Sequence, residues 1–484
     1  MPTRRPGTCG GPPSLPRAGR NSLIERASRL AATLGIPFRH WNVKGRTKIL
    51  LMGFSLLVVG SGGAQAAIAG GFAIAEQSAS SAGSAVAGAV VVARDASTVF
   101  YNPAGMTRLS APEAVAALGF VVPALRFNNR GTQDPTGALV TGNQTINNDL
   151  FAVPSLYLAV PVSRQLSVGF GLNAPFGESV SYNRGWVGRY SVVEASLLTL
   201  NLNPAVAYRV TDWLSLGVGF NAQYAQLERV STIDFGSVCF GAPGLGPGIC
   251  PFLGLIPQGA DGRVKITADD WGFGYNLGVM LEPTIRTRVG LAYRSEIHHT
   301  LTGRAEFVVP PSANVLTAGG TVFRDTRASV PITLPSSLSI GAFHEVSEHW
   351  AVFGSITWTE WSRLHTTTVR FDNPAQPSVS QHQNWTDTFR YALGLSYTWS
   401  PRLMLQGGVA FDEDPVSDRF RSADIPVAAR ISAGVGASYR IASSMSVDVS
   451  YTYTHQFRAG TQGMVIGNFE GDYHAVSVQL AIRF

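Results

Sequence analysis

The chain has 484 residues, 45% hydrophobic and 10% aromatic but only 14% charged, well below the roughly 25% charged residues of ordinary soluble domains. Its length admits two or three soluble domains or one large β architecture, and 52 glycines point to many turns and close-packed strands. The formal net charge of +6 does not signal a nucleic-acid partner: ten of 37 Lys/Arg but one of 31 Asp/Glu lie in residues 1–66, leaving 27 basic against 30 acidic residues in the rest.

Residues 1–66 read as a leader. Lys44, Arg46 and Lys48 precede the apolar run 49–60, and Ala64-Gln65-Ala66 then offers a small-x-small cleavage pattern. The run of about twelve residues is too short to span a bilayer. Cleavage is expected at 66/67 or, at Ala67-Ile68-Ala69, at 69/70. The Pro- and Arg-rich residues 1–42 lengthen this signal peptide beyond its usual size and are expected to be an annotation extension. No later stretch of 18 or more apolar residues follows, so the exported chain is either soluble or a membrane barrel.

Residues 67–110 come next, rich in Gly, Ala and Ser and ending in RDASTVFYNPAGMTRL, where Asn102-Pro103 is a turn signal. Beyond residue 110 the period changes to two. Leu214, Leu216, Val218 and Phe220 interleave with small or polar residues, as do Phe389, Tyr391, Leu393, Leu395, Tyr397 and Trp399, and then Met445, Val447, Val449, Tyr451 and Tyr453. Extended along the chain, this pattern predicts fourteen strands: 111–127, 151–160, 166–182, 196–209, 214–235, 264–281, 287–308, 334–346, 350–371, 386–399, 403–412, 429–441, 445–458 and 472–484.

Short connections (161–165, 347–349, 442–444) take turns with long ones (128–150, 236–263, 309–333, 413–428). An even strand number with alternating short and long connections is the pattern of an outer-membrane barrel, whose short turns face the periplasm. Trp213, Trp271, Trp350, Trp358, Trp399, Tyr439 and Tyr451–Tyr453 lie near strand ends and suit interfacial girdles. The last strand puts Val476, Val478, Leu480, Ile482 and Phe484 on one face, as substrates of the outer-membrane barrel assembly machinery commonly do. The expected fold is therefore an all-β, transmembrane, fourteen-stranded antiparallel β-barrel over 111–484, with 67–110 as a hatch in the lumen.

Other chemistry finds little support. No GxSxG elbow appears, His298-His299 and the dispersed His344, His349 and His365 lack metal spacing, and GAPGLGPG is no phosphate loop. Asp412-Glu413-Asp414 reads as a solvated charge run rather than a calcium cluster. No catalytic residue, metal or cofactor is assigned. Cys239 and Cys250 bracket a Gly/Pro-rich stretch; in an oxidising compartment they can close a small loop, and otherwise they are two loop thiols.

Across roughly 70–484 the sequence resembles the FadL/TodX outer-membrane transporters of long-chain fatty acids and hydrophobic aromatic compounds. The resemblance rests on the hatch-like 70–109, with Gly71-Phe72 and Asn102-Pro103-Ala104, and on GLNAPFGESVSYNRGWVGRY (171–190). NLNPAVAYRVTDWLSLGVGFNAQY (201–224), WGFGYNLGV (271–279), LAYRSEI (291–297) and 389–416 follow in order.

The resemblance implies uptake without a watery channel: capture at an extracellular groove, transfer to a pocket in the barrel, and lateral release at an inward kink of the third strand. An acyl chain gains about 0.8 kcal/mol per buried CH₂ in such a pocket. Asn173, Pro175 and Gly177 interrupt strand three, which suits a kink; the alternative is an ordinary strand end. Phe176, with Phe240, Phe252 and Leu253 of the unusually apolar loop 236–263, is expected to line the ligand path. Arg229 and Lys265, the only Lys after residue 48, are the expected partners of a carboxylate head group, or else rim charges. The implied partners are hydrophobic small molecules, outer-membrane lipid and lipopolysaccharide, and the assembly machinery, with the protein a monomer in the outer membrane and no nucleic acid bound. A non-specific porin, a structural or adhesin barrel, or an outer-membrane hydrolase remain the alternatives.

Overall fold

A strand whose side chains alternate strictly can face lipid on one side and a packed interior on the other, and only a closed sheet leaves no backbone group unpaired in the bilayer. In the computed structural model, which describes residues 71–484, fourteen antiparallel strands close in this way. They are β1 (Glu113–Asn129), β2 (Phe151–Pro161), β3 (Leu166–Asn173 and Gly177–Tyr182), β4 (Glu194–Thr211), β5 (Leu214–Asp234), β6 (Asp261–Thr284) and β7 (Thr287–Arg294 and Ile297–Val308). The second half comprises β8 (Thr326–Leu334 and Ser337–Glu345), β9 (Trp350–Thr359 and Thr366–Phe371), β10 (Thr388–Ser400), β11 (Leu403–Asp412), β12 (Arg430–Ala442), β13 (Met445–Gln462) and β14 (Ile466–Arg483). β1 closes on β14 from Glu113↔Arg483 to Asn129↔Gly467. The expected leader and cleavage sites lie outside the described residues.

Alternation explains the outer surface. Leu216, Val218 and Phe220 of β5 and Leu277, Tyr275, Phe273 and Trp271 of β6 are exposed as an apolar belt, whereas Ser215, Asn221 and Gln223 point inward. Trp213, Trp350, Trp399, Tyr439 and Tyr451 are exposed as well, as girdle aromatics require.

Two boundaries differ from expectation. β8 begins at Thr326, because Pro331 disguises a stretch that nonetheless pairs with β7. β13 and β14 continue through 459–471 to a tight turn at Gly463–Val465, so the last connection is short. A register shift between Gln456 and Ala459 breaks the alternation there, and the Gly-rich composition hides what remains.

Three strands besides β3 are interrupted, at 295–296 in β7, 335–336 in β8 and 360–365 in β9. The wall closes these breaks itself. Ser295 N–H donates to Tyr275 O and Tyr275 N–H to Ser295 Oγ, each at 2.9 Å. Glu360 N–H donates to Ser336 O at 3.0 Å, and Arg363 bridges Glu296 and Glu360, each at 2.9 Å.

Residues 71–110 precede β1 and form short helical turns at Ala79–Ala82, Ala89–Val92, Thr98–Tyr101 and Pro103–Arg108. Lumen-facing side chains all round the wall bind this segment. Tyr157 of β2 donates to Gln77 O at 3.1 Å, Arg209 of β4 to Thr107 O at 2.6 Å, Gln406 of β11 to Ser80 O at 2.8 Å and Thr452 of β13 to Ala82 O at 3.0 Å. A segment held from opposite walls at once occupies the lumen.

Candidate functional site

The Asn-Pro-Ala turn docks on β5 and β6. Asn102 Nδ2 donates to Val90 O at 2.8 Å and to Val279 O at 3.0 Å, while its Oδ1 accepts from Ala104 N–H at 3.1 Å. Pro103 then starts a 3₁₀ turn without wasting a donor. Gly217 and Gly278 face this turn, and a Cβ on either would collide with Asn102, Pro103 or Ala104. Eight residues before Asn102, Arg94 donates to Gln406 Oε1 at 3.0 Å, and Asp95 next to it accepts from Gln479 Nε2 at 2.9 Å. Burial pulls the Arg94 guanidinium below its ordinary value, opposed by Asp448 and Asp95.

At the start of the segment the geometry concerns β3. The regular ladder with β4 stops at Asn173 and resumes at Gly177, leaving Ala174 and Pro175 unpaired with β4. Residues 72–77 instead take up backbone groups of Ala174, Pro175 and Gly177. Ile74 N–H donates to Pro175 O at 2.9 Å and Gly177 N–H to Phe72 O at 2.9 Å. Gln77 closes the remainder: its Nε2 donates to Ala174 O at 2.7 Å and its Oε1 accepts from Ala174 N–H at 3.2 Å. Thr199 of β4 holds Phe176 from the other side, accepting from its N–H at 3.0 Å and donating to its O at 2.6 Å. The interruption at Asn173, Pro175 and Gly177 is thus a break within β3 to which the N-terminal segment is joined.

Aromatic side chains seal this junction. The Phe72 ring lies 6.0 Å from Phe176, 4.8 Å from Trp361 and 5.9 Å from Trp385. Gly71 packs on the Trp361 indole, and its carbonyl accepts from Arg430 at 3.2 Å.

Beside the junction lies a cavity of about 160 Å³, lined by Ile74, Val90, Phe100, Tyr101, Pro175, Phe176, Leu277 and Tyr293, with Arg294, Arg390 and Asp412 as its charges. Arg294 donates to Phe100 O and Asn221 Oδ1, each at 2.9 Å, and stacks 4.4 Å above the Phe100 ring. Glu76 lies nearby on the segment; burial raises its carboxyl above the ordinary value, against the lowering effect of Arg390.

The expected site residues do not all converge. Phe176 reaches the cavity. Arg229 faces inward near the loop end, 3.6 Å from Asp424 and donating to Ser191 O at 3.2 Å, so it ties loops together. Lys265 sits on the outer face of β6, 2.5 Å from Glu228, and does not reach the lumen. The cations beside the cavity are Arg294 and Arg390, neither of which the sequence singles out as a ligand partner; their parity on β7 and β10 points them inward. Asp412 is a correction too: far from solvated, it is 1% exposed and paired with Arg390.

Cys239 and Cys250 are bonded, with their Cα atoms 6.0 Å apart. The bridge sits in a small core with Phe235, Leu255 and Ala313, against which Phe240 packs half-buried. Around it Ile249, Leu253 and Ile256 are exposed, and Phe252 is 91% exposed, which makes an apolar patch among the long loops. Among the described residues, no three His, Cys, Asp or Glu side chains converge as a metal site would.

Residues 60–484 match the family model described as "Outer membrane protein transport protein (OMPP1/FadL/TodX)". The chain belongs to this family. FadL/TodX proteins are outer-membrane transport channels for hydrophobic small molecules such as fatty acids and aromatic hydrocarbons, and the present member is accordingly a bacterial outer-membrane barrel. It is 32% identical to outer membrane protein P1 of Haemophilus influenzae over 417 residues, 82% of this chain and 88% of that one. It is 29% identical to the long-chain fatty acid transport protein of Escherichia coli K12 over 402 residues, 80% and 87% of the two chains. Its fold superposes on that of a Pseudomonas aeruginosa FadL homologue with a TM-score of 0.77 at 22% identity, over 86% of this chain and 100% of the other. The toluene transporter TodX of Pseudomonas putida gives 0.63 at 16% identity, over 86% and 100%.

Proposed function

We propose that this FadL/TodX member takes up long-chain fatty acids or other hydrophobic compounds, and that it does so without catalysis. The exposed patch around Phe252 captures the apolar molecule, the cavity beside Phe176 receives it, and the interruption of β3 releases it sideways into the membrane. Residues 67–110 act as the hatch and 111–484 as the barrel. One observation carries the reading: where the β3 ladder breaks, the backbone of Ala174, Pro175 and Gly177 bonds to residues 72–77, directly beside an apolar cavity. Movement of that short segment uncovers a wall opening and the cavity together. Burial of each CH₂ on the way contributes about 0.8 kcal/mol, an advantage a water-filled pore lacks.

Outer-membrane lipid and lipopolysaccharide surround the barrel on this reading, the barrel assembly machinery inserts it, and it works as a monomer that binds no nucleic acid. The test is uptake in a deletion strain across a panel of fatty acids, alkanes, terpenes and monoaromatics, paired with planar-bilayer conductance of the purified protein. At least a tenfold uptake loss for one class, with almost no steady conductance, is the expected result. Large steady conductance with normal uptake would instead identify a porin.

A further inference from the structure

Below the N-terminal segment, at the short-turn end of the barrel, lies a second cavity of about 500 Å³. It separates Val92–Arg94 and Arg108–Ala111 from the inner faces of β7 to β10. Its chemistry is opposite to that of the cavity beside Phe176, because its lining is mainly polar and carries Arg94, Arg108, Arg288 and Arg483 together with Glu113, Glu345 and Glu348.

Most of these charges are already engaged. Arg108 pairs with Glu282, Arg94 donates to Gln406 Oε1, and Glu113 accepts from Arg483 at 2.6 Å. Arg288 is different. It is only 5% exposed, yet its Nε has no hydrogen-bond partner, and it joins no ion pair among the described residues. Its guanidinium carbon lies 3.7 Å from the centre of the Phe343 ring. Stacking fixes the plane of the guanidinium and leaves its N–H edge free, the geometry that takes two oxygens of one carboxylate or phosphate side by side. A buried cation without a partner is destabilising unless something pairs it.

We propose that this chamber is an oxyanion site, with Arg288 as its hydrogen-bonding fork. Arg94 and Arg108 add positive potential, and Glu345 competes with the anion for the fork. The ligand class is a small oxyanion, a phosphate or a short carboxylate; a long acyl chain would find few apolar walls here. The site stands independently of hydrophobic uptake, since it lies on the other side of the segment from the cavity beside Phe176.

Isothermal titration of the folded barrel in detergent tests it, with sodium phosphate and sodium propionate injected separately at constant ionic strength and sodium chloride as the reference. Saturable heat is expected for at least one oxyanion. Arg288→Met should weaken it at least tenfold, Glu345→Gln should tighten it about threefold, and Lys265→Met, on the outer wall, should leave it unchanged. If Arg288→Met does not fold, Phe343→Leu keeps the charge, removes the stacking surface and should weaken binding severalfold. A response to phosphate alone defines a phosphate site, and a response to both anions defines a general oxyanion site. Heat no greater than chloride, or binding unaltered in Arg288→Met and Phe343→Leu, overturns the proposal.

Discussion

Four strands of this barrel are interrupted; the breaks look alike in strand assignment and differ in what closes them. The breaks in β7, β8 and β9 are closed by the wall, through Ser295 with Tyr275, Glu360 with Ser336, and Arg363 between Glu296 and Glu360. The break in β3 is closed by residues 72–77, which belong to a different part of the chain. A gap sealed by its own rim is a feature of shape. One sealed by a separate segment opens when that segment leaves, so its state is an equilibrium that mutation or pH can shift.

The largest effect is expected from removing the seal. Deleting residues 71–105 should leave a folded barrel with steady ion conductance in planar bilayers and uptake of hydrophobic compounds at least tenfold lower; a folded deletion protein that neither leaks nor loses uptake would show that the segment closes nothing. Next comes the difference between the two breaks. Pro175→Val restores a ladder donor in β3 and should cut uptake about tenfold, whereas Pro335→Val in β8 should change it less than twofold. Equal effects would show that the two breaks do not differ in function.

A subtler perturbation is Gln77→Ala, which strips the partners from Ala174 N–H and O. Leaving buried backbone groups unpaired costs about 1–3 kcal/mol, or roughly five- to 150-fold in the opening equilibrium. Amide exchange at Ala174 and Gly177 should quicken by that factor, while Arg363→Ala should leave both amides unchanged. Protonation gives a smaller handle. The docked state raises the Glu76 carboxyl above its ordinary value of 4.5, so docking is favoured with Glu76 protonated and weakens as pH rises through the raised value. Bilayer openings should become more frequent with rising pH in the parent protein and show a flatter profile in Glu76→Gln. The smallest effect is expected at the outer loops. Reducing Cys239–Cys250 frees a small loop, a local change on the order of 3 kcal/mol that should lower apparent affinity a few-fold without altering the maximal uptake rate or barrel melting.

Much of the barrel was readable because lipid imposes one apolar face on every strand, and Leu214–Phe220 or Phe389–Trp399 display it without interruption. Reading failed where that constraint lapses. Pro331 masked the first half of β8, and the Gly-rich 459–471 rises past the belt where outward apolar residues are no longer required. Charges were misplaced for a related reason. Composition drew attention to Lys265 as an isolated lysine, but parity along β6 sends it outward with Thr267 and Asp269. The same parity test turns Arg294 and Arg390 inward. Asp412 was read from its acidic neighbours, whereas its surroundings are set by Arg390 across the ladder and by Arg430. Neither the pairing of residues 72–77 with β3 nor the stacking of Arg288 on Phe343 carries a local signature, since each depends on chain segments that meet only in three dimensions.

The seam between β1 and β14 has a consequence for biogenesis. Glu113 and Arg483, which pair there, are 370 positions apart, so this contact is among the last that a growing sheet can make. Residues 71–110 lie upstream of β1 and end up encircled. In place before the ring shuts, as cargo is stowed before a hull is sealed, they need not thread an open end afterwards. A peptide of that sequence supplied afterwards to a finished, empty cylinder would face a barrier that the native order of events never meets.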